Sequence, residues 1–191
     1  MDIPLIATKL YIPQHRHESL PRPRLEQWLN ERLMRKLTLI SAPAGFGKTT
    51  LAINWLSQNQ IPIAWYSLDE NDNHLIRFFS YFIAALQRVN KSFGQNLLEE
   101  LNTAYSVDFE TIMTHLINDF MKIEQEVALV LDDYHLIHQP EINQAVAFLL
   151  DHLPPHLRIV ILSRTTPLLP IAKLRSKSQL TELHASDLKF T

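Results

Sequence analysis

The chain contains no cysteine among its 191 residues. Without cysteine it forms no disulfide, and it offers neither a Cys-based zinc site nor a thiol nucleophile. Nine histidines are present, but they are scattered without the spacing of metal ligands. We therefore interpret the histidines as structural or surface residues and predict no zinc site.

Long apolar runs are also absent, because no stretch of the sequence approaches the ~20 residues that a membrane span needs. The first residues include Asp2, Pro4 and Pro13, which is unlike a secretory signal. Hydrophobic residues make up 46% of the chain and charged residues 20%, an ordinary globular composition. These features predict a soluble cytoplasmic protein that does not contact membranes.

The chain has no strong charge of one sign. Lys and Arg number 18 and Asp and Glu number 20, so the formal net charge is -2. No global basic field attracts nucleic acid. Because Lys9, Arg16, Arg22 and Arg24 form only a small basic cluster, we expect no direct DNA binding by this chain.

Glycine is scarce, and its placement is informative. Only three glycines occur, and two of them are Gly45 and Gly47. A chain that uses so few glycines places them where the backbone needs unusual dihedrals or approaches a ligand closely.

Strands and helices are predicted to alternate after a Pro-rich N-terminal arm over residues 1–24. Apolar spacing predicts strands at 37–40, 63–68, 127–131, 157–162 and 180–183, with helices at 25–34, 49–57, 75–89, 95–105, 109–123, 140–153 and 171–176. Alternation of this kind indicates an α/β fold with a largely parallel sheet. We predict a three-layer P-loop NTPase domain over 25–191, with about five strands and helices on both faces of the sheet.

The segment between the first strand and the second helix carries a phosphate-binding pattern. Gly45-Phe46-Gly47-Lys48-Thr49-Thr50 ends the pattern G-x-x-x-x-G-K-[ST], and Ala42 stands where the pattern begins with glycine. Main-chain N–H groups of the loop can surround a phosphate. Lys48 is predicted to reach the β and γ oxygens, and the Thr49 hydroxyl to bind Mg²⁺. The predicted nucleotide-binding residues of this loop are Ala42, Pro43, Ala44, Gly45, Phe46, Gly47, Lys48, Thr49 and Thr50.

Charged residues follow two further strands. Asp132 and Asp133 close the aliphatic run at 127–131, and Arg164 follows the run at 157–162. In a parallel sheet the carboxyl ends of the strands face the ligand crevice. We predict that Asp132 holds Mg²⁺, that Asp133 orients or deprotonates the attacking water, and that Arg164 stabilises charge on the γ-phosphate.

Beyond these single motifs, the chain resembles the N-terminal nucleotide-binding domain of MalT-like transcription activators, the large LuxR-type regulators among the STAND signalling ATPases. The resemblance covers nearly the whole chain. The motifs that carry it are Thr8-Lys9-Leu10, Pro21-Arg22-Pro23-Arg24-Leu25, Ser41-Ala42-Pro43-Ala44-Gly45-Phe46-Gly47-Lys48-Thr49-Thr50, Trp65-Tyr66-Ser67-Leu68-Asp69-Glu70-Asn71-Asp72-Asn73, Leu131-Asp132-Asp133-Tyr134-His135-Leu136-Ile137 and Leu162-Ser163-Arg164. Ala42 in place of glycine is usual in that family.

The resemblance implies an ATP/ADP switch in signal transduction. In the family, ADP holds a closed monomer, whereas ATP and an inducer together favour self-association and transcription activation, and slow hydrolysis resets the state. Carried over, Arg24 matches the arm that folds over the nucleotide base. Family members continue with a winged helix, a helical-repeat sensor and a C-terminal helix-turn-helix, so we expect inducer and DNA binding to lie outside these 191 residues.

Two other classes of function fit the P-loop. The first is a P-loop enzyme such as a small-molecule kinase or a motor ATPase, which turns over at ordinary rates of ~10 s⁻¹. The second is a protein-interaction domain in which a nucleotide is only a structural plug. Slow ATP hydrolysis distinguishes the switch from both.

Overall fold

The computed structural model describes residues 4–14, 21–103 and 109–189. Two features of the sequence analysis, Arg16 and the predicted helix end at residue 105, lie outside these residues. Among the described residues, no helix combines the length and the apolar character needed to cross a bilayer.

Within the described part of the chain, five strands form one parallel sheet in the order β2-β3-β4-β1-β5. The strands are β1 (Leu37–Ser41), β2 (Ile63–Ser67), β3 (Val127–Asp132), β4 (Leu157–Ser163) and β5 (Leu180–His184). Strands β1, β3 and β4 are buried along their whole length, as expected for central strands covered on both faces. Because all five run the same way, the loops that follow them meet at one edge of the sheet.

Helices cover both faces of the sheet. They are α1 (Pro23–Asn30), α2 (Lys48–Gln58), α3 (Leu75–Gln87), α4 (Gln95–Thr103), α5 (Phe109–Phe120), α6 (Pro140–His152) and α7 (Ile171–Ser176). On one face, residues of α1 and α2 such as Leu29 and Trp55 pack on Val130 and Val160. The other face carries a larger core, in which α3, α5 and α6 cover the opposite side of the same strands. The predicted three-layer α/β fold of a P-loop NTPase is therefore confirmed.

Some element boundaries differ from the prediction. Helix α1 begins at Pro23, inside the stretch predicted as an irregular arm, because proline at a first helical position loses no needed N–H. The same helix ends at Asn30 rather than at residue 34, since the N–H groups of Arg32 and Leu33 bond to carbonyls three residues back instead of four. A 3-10 helix, Ala7–Leu10, also lies in the arm.

Candidate functional site

The loop between β1 and α2 has the backbone of a P-loop. Gly45 and Gly47 have φ of 83° and 75°, a left-handed conformation that glycine adopts without steric cost. A Cβ built on Gly45 would have no atom within 4 Å and would project into open space. Ala42, by contrast, is not among the described residues with positive φ, and it is buried with its N–H donated to the carbonyl of Ser163, 3.2 Å away. Position 42 therefore has no need of glycine.

Lys48 lies in the first turn of α2 and is buried. Its Nζ donates to the carbonyl oxygens of Ala42 at 2.8 Å and Pro43 at 3.1 Å. Burial lowers the pKa of Lys48 and the charge of Arg164 adds to that effect, while the carboxylates of Asp133 and Asp132 oppose it. The ammonium group is thus held by neutral acceptors at the mouth of the loop, close to two acids and one further cation.

Asp132 ends β3 beside the P-loop. Its Oδ2 accepts a hydrogen bond from the Thr49 hydroxyl at 3.3 Å, and its Oδ1 accepts one from the N–H of Asp133 at 3.0 Å. Burial raises the pKa of Asp132 to about 6, and the nearby carboxylate of Asp133 contributes to the rise. A cation that binds next to Asp132 stabilises the charged carboxylate and so lowers its pKa.

Asp133 stands in a strained backbone conformation. Its φ is 58°, which few residues other than glycine adopt, although Asp is enriched among those that do. The Asp133 side chain is 46% exposed and its Oδ1 lies 3.8 Å from Nδ1 of His135. Strained backbone conformations of this kind cluster at functional sites, where they help to position a side chain.

His135 is a residue that the sequence analysis assigned to structure or surface. Its Nδ1 is buried and has no hydrogen-bond partner within the described residues. Burial lowers the pKa of His135; Asp133 opposes the shift, while the charges of Arg164 and Lys48 increase it. His135 therefore lies near the charged side chains of Lys48, Asp133 and Arg164, and no spacing in the sequence indicated this.

Arg164 follows β4 and is exposed. Its charge acts on Lys48 and on His135, so the guanidinium lies within electrostatic range of the P-loop and of the turn after β3. The structure thus brings Lys48, Thr49, Asp132, Asp133 and Arg164 to one edge of the sheet, as the positions of the motifs after β1, β3 and β4 predicted.

The residues fit a nucleotide with Mg²⁺. Thr49 and Asp132 offer two oxygen atoms 3.3 Å apart, and oxygen is the ligand that Mg²⁺ prefers. No cluster of three or more His, Cys, Asp or Glu side chains suited to a metal occurs in the described residues. A site of few protein oxygens matches Mg²⁺, which keeps several waters and binds substrate phosphates.

The N-terminal arm reaches the P-loop through Arg22. Its guanidinium donates to the carbonyl of Phe46 at 3.2 Å and to the carbonyl of Leu188 at 2.6 Å. Arg24, the predicted arm residue, is exposed in the first turn of α1. Both arginines line a cavity of about 190 Å³ together with Pro21, Asp187 and Lys189. Arg22 is thus the arm residue in contact with the loop, and the sequence offered no signal to choose between the two.

A parallel sheet with a P-loop after β1 and an acidic pair at the end of β3 defines the P-loop ATPase fold, here with β4 inserted between β1 and β3. The family model described as nephrocystin 3, N-terminal, matches residues 17–164. The chain belongs to that family.

Similar proteins point the same way. The chain is 38% identical over 187 residues to the HTH-type transcriptional regulator MalT of Cronobacter sakazakii (strain ATCC BAA-894), covering 98% of this chain and 21% of the relative. It is 39% identical over 187 residues to MalT of Yersinia pestis (strain Pestoides F), covering 97% and 20%. The chain thus spans about a fifth of the length of these relatives, and its resemblance to MalT-like regulators is confirmed.

Among solved structures, the fold is similar to that of a STAND protein with a tetratricopeptide repeat sensor from Pyrococcus horikoshii. The TM-score is 0.60 at 20% identity, over 90% of this chain and 24% of the other.

Proposed function

We propose that this chain is the ATP/ADP-binding switch module of a MalT-like transcription activator and hydrolyses ATP slowly. One observation carries the proposal: Lys48, Thr49, Asp132, Asp133 and Arg164 gather at the carboxyl edge of the sheet, beside a loop with two left-handed glycines. The relatives named as transcriptional regulators support the assignment of the module to gene regulation.

Phosphate binding begins at the P-loop. The main-chain N–H groups of residues 44–49 and the start of α2 favour an anion. Lys48 now donates to two carbonyl oxygens, and a phosphate oxygen is a stronger acceptor because it is charged. The ammonium therefore exchanges these carbonyls for the β and γ oxygens. Arg24 lines the adjacent cavity, and its predicted role is to contact the nucleotide base.

Thr49 and Asp132 would hold Mg²⁺. When bound, the ion would supply positive charge that offsets the charge of the phosphates. Asp132 suits this position because burial disfavours its charged form, and a bound cation would stabilise that form.

Hydrolysis needs a base near the γ-phosphate. Asp133 accepts a proton from water as the water oxygen bonds to the γ-phosphorus and the bond to the β-phosphate oxygen breaks, so that ADP leaves with the bonding electrons. Arg164 stabilises charge on the transferring group. A switch must hold its ATP state, so we expect turnover far below ordinary rates of ~10 s⁻¹.

In the larger regulator, the ATP state of this module favours self-association, and the ADP state holds a monomer in the cytoplasm. DNA contact is expected from other parts of the regulator.

The two acids can be separated by experiment. We expect Asp133→Asn to slow single-turnover ATP hydrolysis by roughly a hundredfold or more, because an amide cannot accept the proton from water. Its affinity for ADP should stay within about twofold of the native value. Asp132→Asn is the matched comparison, and it should instead weaken the Mg²⁺ dependence of ATP binding. An Asp133→Asn protein that hydrolyses ATP at the native rate contradicts the assignment.

DNA binding is tested separately by fluorescence anisotropy with duplex DNA at low and moderate salt, with and without ATP. Lys9 is buried in ion pairs and Arg22 is bonded to main-chain carbonyls, so few of the predicted basic residues remain for phosphate contacts. We expect at most weak binding that disappears as salt rises. A salt-resistant, sequence-dependent complex would contradict this.

A further inference from the structure

The loop between β2 and α3 is fixed by a buried ionic network. Nζ of Lys9, in the arm, contacts the carboxylates of Asp69 at 3.0 Å and of Asp72. The Asp72 side chain is fully buried, and it also accepts from Nε of Arg77 at 3.1 Å and from the N–H of Asp69 at 2.8 Å. Because Asp69 and Asp72 are each paired with a basic side chain, the loop forms a platform tied to the arm and to α3.

Asn73 stands at the end of this platform and reaches across to the neighbouring loop. Its Nδ2 donates to the carbonyl of Leu136 at 2.7 Å and to that of Glu70 at 3.1 Å. Its Oδ1 accepts from the N–H groups of His138 at 2.7 Å and Gln139 at 3.0 Å. The amide thus uses both donors and both acceptor positions, and three of the four bonds go to residues 136–139.

The segment that Asn73 holds is the one that aims Asp133. After Asp133 the chain makes a single 3-10 turn, Tyr134–Leu136, closed by the bond from the N–H of Leu136 to the carbonyl of Asp133 at 3.1 Å. The turn begins at Asp133, whose φ is 58°, and ends at Leu136, whose carbonyl accepts a hydrogen bond from the Asn73 amide. A strained conformation persists only when its surroundings over-determine it, and Asn73 supplies a fixed point three residues away.

The main chain just before Asp133 is fixed as well. The N–H of Leu68 donates to the carbonyl of Asp132 at 3.0 Å, so the main chain is tied to the β2 side just before the acid. The side chain of Asn73 ties it again just after the turn. Both ties come from the same neighbouring segment, residues 68–73.

We propose that Asn73 is a positioning residue for Asp133: it fixes the turn after β3 so that the carboxylate keeps its orientation towards the γ-phosphate. This role rests on the proposed function of the site. Asn73 does not touch the nucleotide in this account, and its effect passes through the main chain of residues 136–139.

The test compares Asn73→Ala with native protein and with Asn71→Ala, which removes an exposed asparagine side chain two residues away. We expect Asn73→Ala to slow single-turnover ATP hydrolysis by roughly ten- to a hundredfold, as small displacements of a reacting group do. The affinities for ADP and Mg·ATP should stay within about twofold, because the P-loop is untouched. Asn71→Ala should match the native protein in both. This split between hydrolysis and binding distinguishes positioning from a general loss of structure.

Hydrogen exchange of the nucleotide-free chain gives a readout that does not depend on catalysis. In Asn73→Ala, the peptide covering residues 133–139 should exchange faster, while the P-loop peptide covering residues 42–49 should not change. Asn73→Asp is the second variant: it keeps acceptors for the N–H groups of His138 and Gln139 but turns a carboxylate towards the carbonyl of Leu136. We expect it to hydrolyse more slowly than native protein as well.

Two results overturn the proposal: native hydrolysis in both variants, or a fall in nucleotide affinity that parallels the fall in hydrolysis. If native protein binds nucleotide but does not hydrolyse it, the hydrolytic part of the proposed function fails. Exchange then decides the role of Asn73 alone, since unchanged protection of residues 133–139 contradicts it.

Discussion

Lys36 and Lys48 lie at opposite edges of the sheet, and each donates to two main-chain carbonyls in different surroundings. At the amino edge of the sheet, Nζ of Lys36 donates to the carbonyls of Leu150 at 3.2 Å and Asp151 at 3.0 Å. At the carboxyl edge, Nζ of Lys48 donates to two carbonyls at 2.8 and 3.1 Å. Burial lowers the pKa of both ammonium groups.

The acceptors explain the difference between the two sites. Those of Lys36 belong to the last turn of α6, so this lysine caps a helix whose final carbonyls lack partners. Those of Lys48 belong to Ala42 and Pro43, in a loop beside two carboxylates and Arg164. Equal hydrogen bonding therefore does not indicate equal function. We therefore expect the bonds of Lys36 to be structural and those of Lys48 to be exchangeable for a ligand.

A third lysine, Lys9, extends the comparison because its acceptors are carboxylates. Lys9→Met leaves the fully buried Asp72 with Arg77 as its remaining cation. Breaking a buried ion pair from one side strands a charge, so we expect the free energy of unfolding to fall by about 3 kcal/mol. Urea unfolding measures this free energy. The control is Lys91→Met, a substitution at an exposed position, and its free energy of unfolding should lie within about 0.5 kcal/mol of the native value. A Lys9→Met protein as stable as that control contradicts the role of the network.

Asp132, at the carboxyl edge, should lower the stability of the chain, whereas the helix cap by Lys36 at the amino edge should raise it. Burial raises the folded-state pKa of Asp132 to about 6, above its ordinary 3.8. The folded chain therefore favours the protonated acid, and its stability falls as pH rises through 6. We expect Asp132→Asn to stabilise the nucleotide-free chain by about 2 kcal/mol at pH 7.5.

Thermal unfolding across pH 4 to 8 checks this prediction, with the pH dependence as an internal control. The advantage of Asp132→Asn should shrink towards pH 4, where the native acid is protonated in the folded state and about half protonated in the unfolded state. A variant that is less stable than native protein at pH 7.5 contradicts the account of Asp132.

Much of the fold followed from the sequence. The aliphatic run at 127–131, which became most of β3, has no polar face, and such a run suits a central strand of a parallel sheet buried on both sides. The motifs after β1, β3 and β4 were predictable as neighbours because parallel strands deliver their carboxyl ends to one edge. Ligand roles for the P-loop, the acidic pair and Arg164 stay predictions, although the structure brings these residues together.

What the sequence could not show depends on contacts between distant segments. Arg22 and Arg24 are equivalent in the motif, and only the packing of the arm puts Arg22 on the carbonyl of Phe46. His135 and Asn73 carry no ligand spacing; His135 lies in the turn after β3 beside Asp133, and Asn73 contacts that turn from the loop after β2. The left-handed φ of Asp133 occurs at a residue other than glycine, so no glycine in the sequence reveals it.

The most direct test of the nucleotide site returns to the two lysines. A fluorescent ADP analogue is titrated into native protein, Lys48→Ala and Lys36→Ala, with circular dichroism confirming that each is folded. We expect Lys48→Ala to bind at least about tenfold more weakly, about 1.4 kcal/mol, because it loses the main cation for the phosphates. Lys36→Ala, which removes a similarly bonded lysine at the other end of β1, should bind as native protein does. Equal affinity of the native and Lys48→Ala proteins would contradict nucleotide binding at this loop.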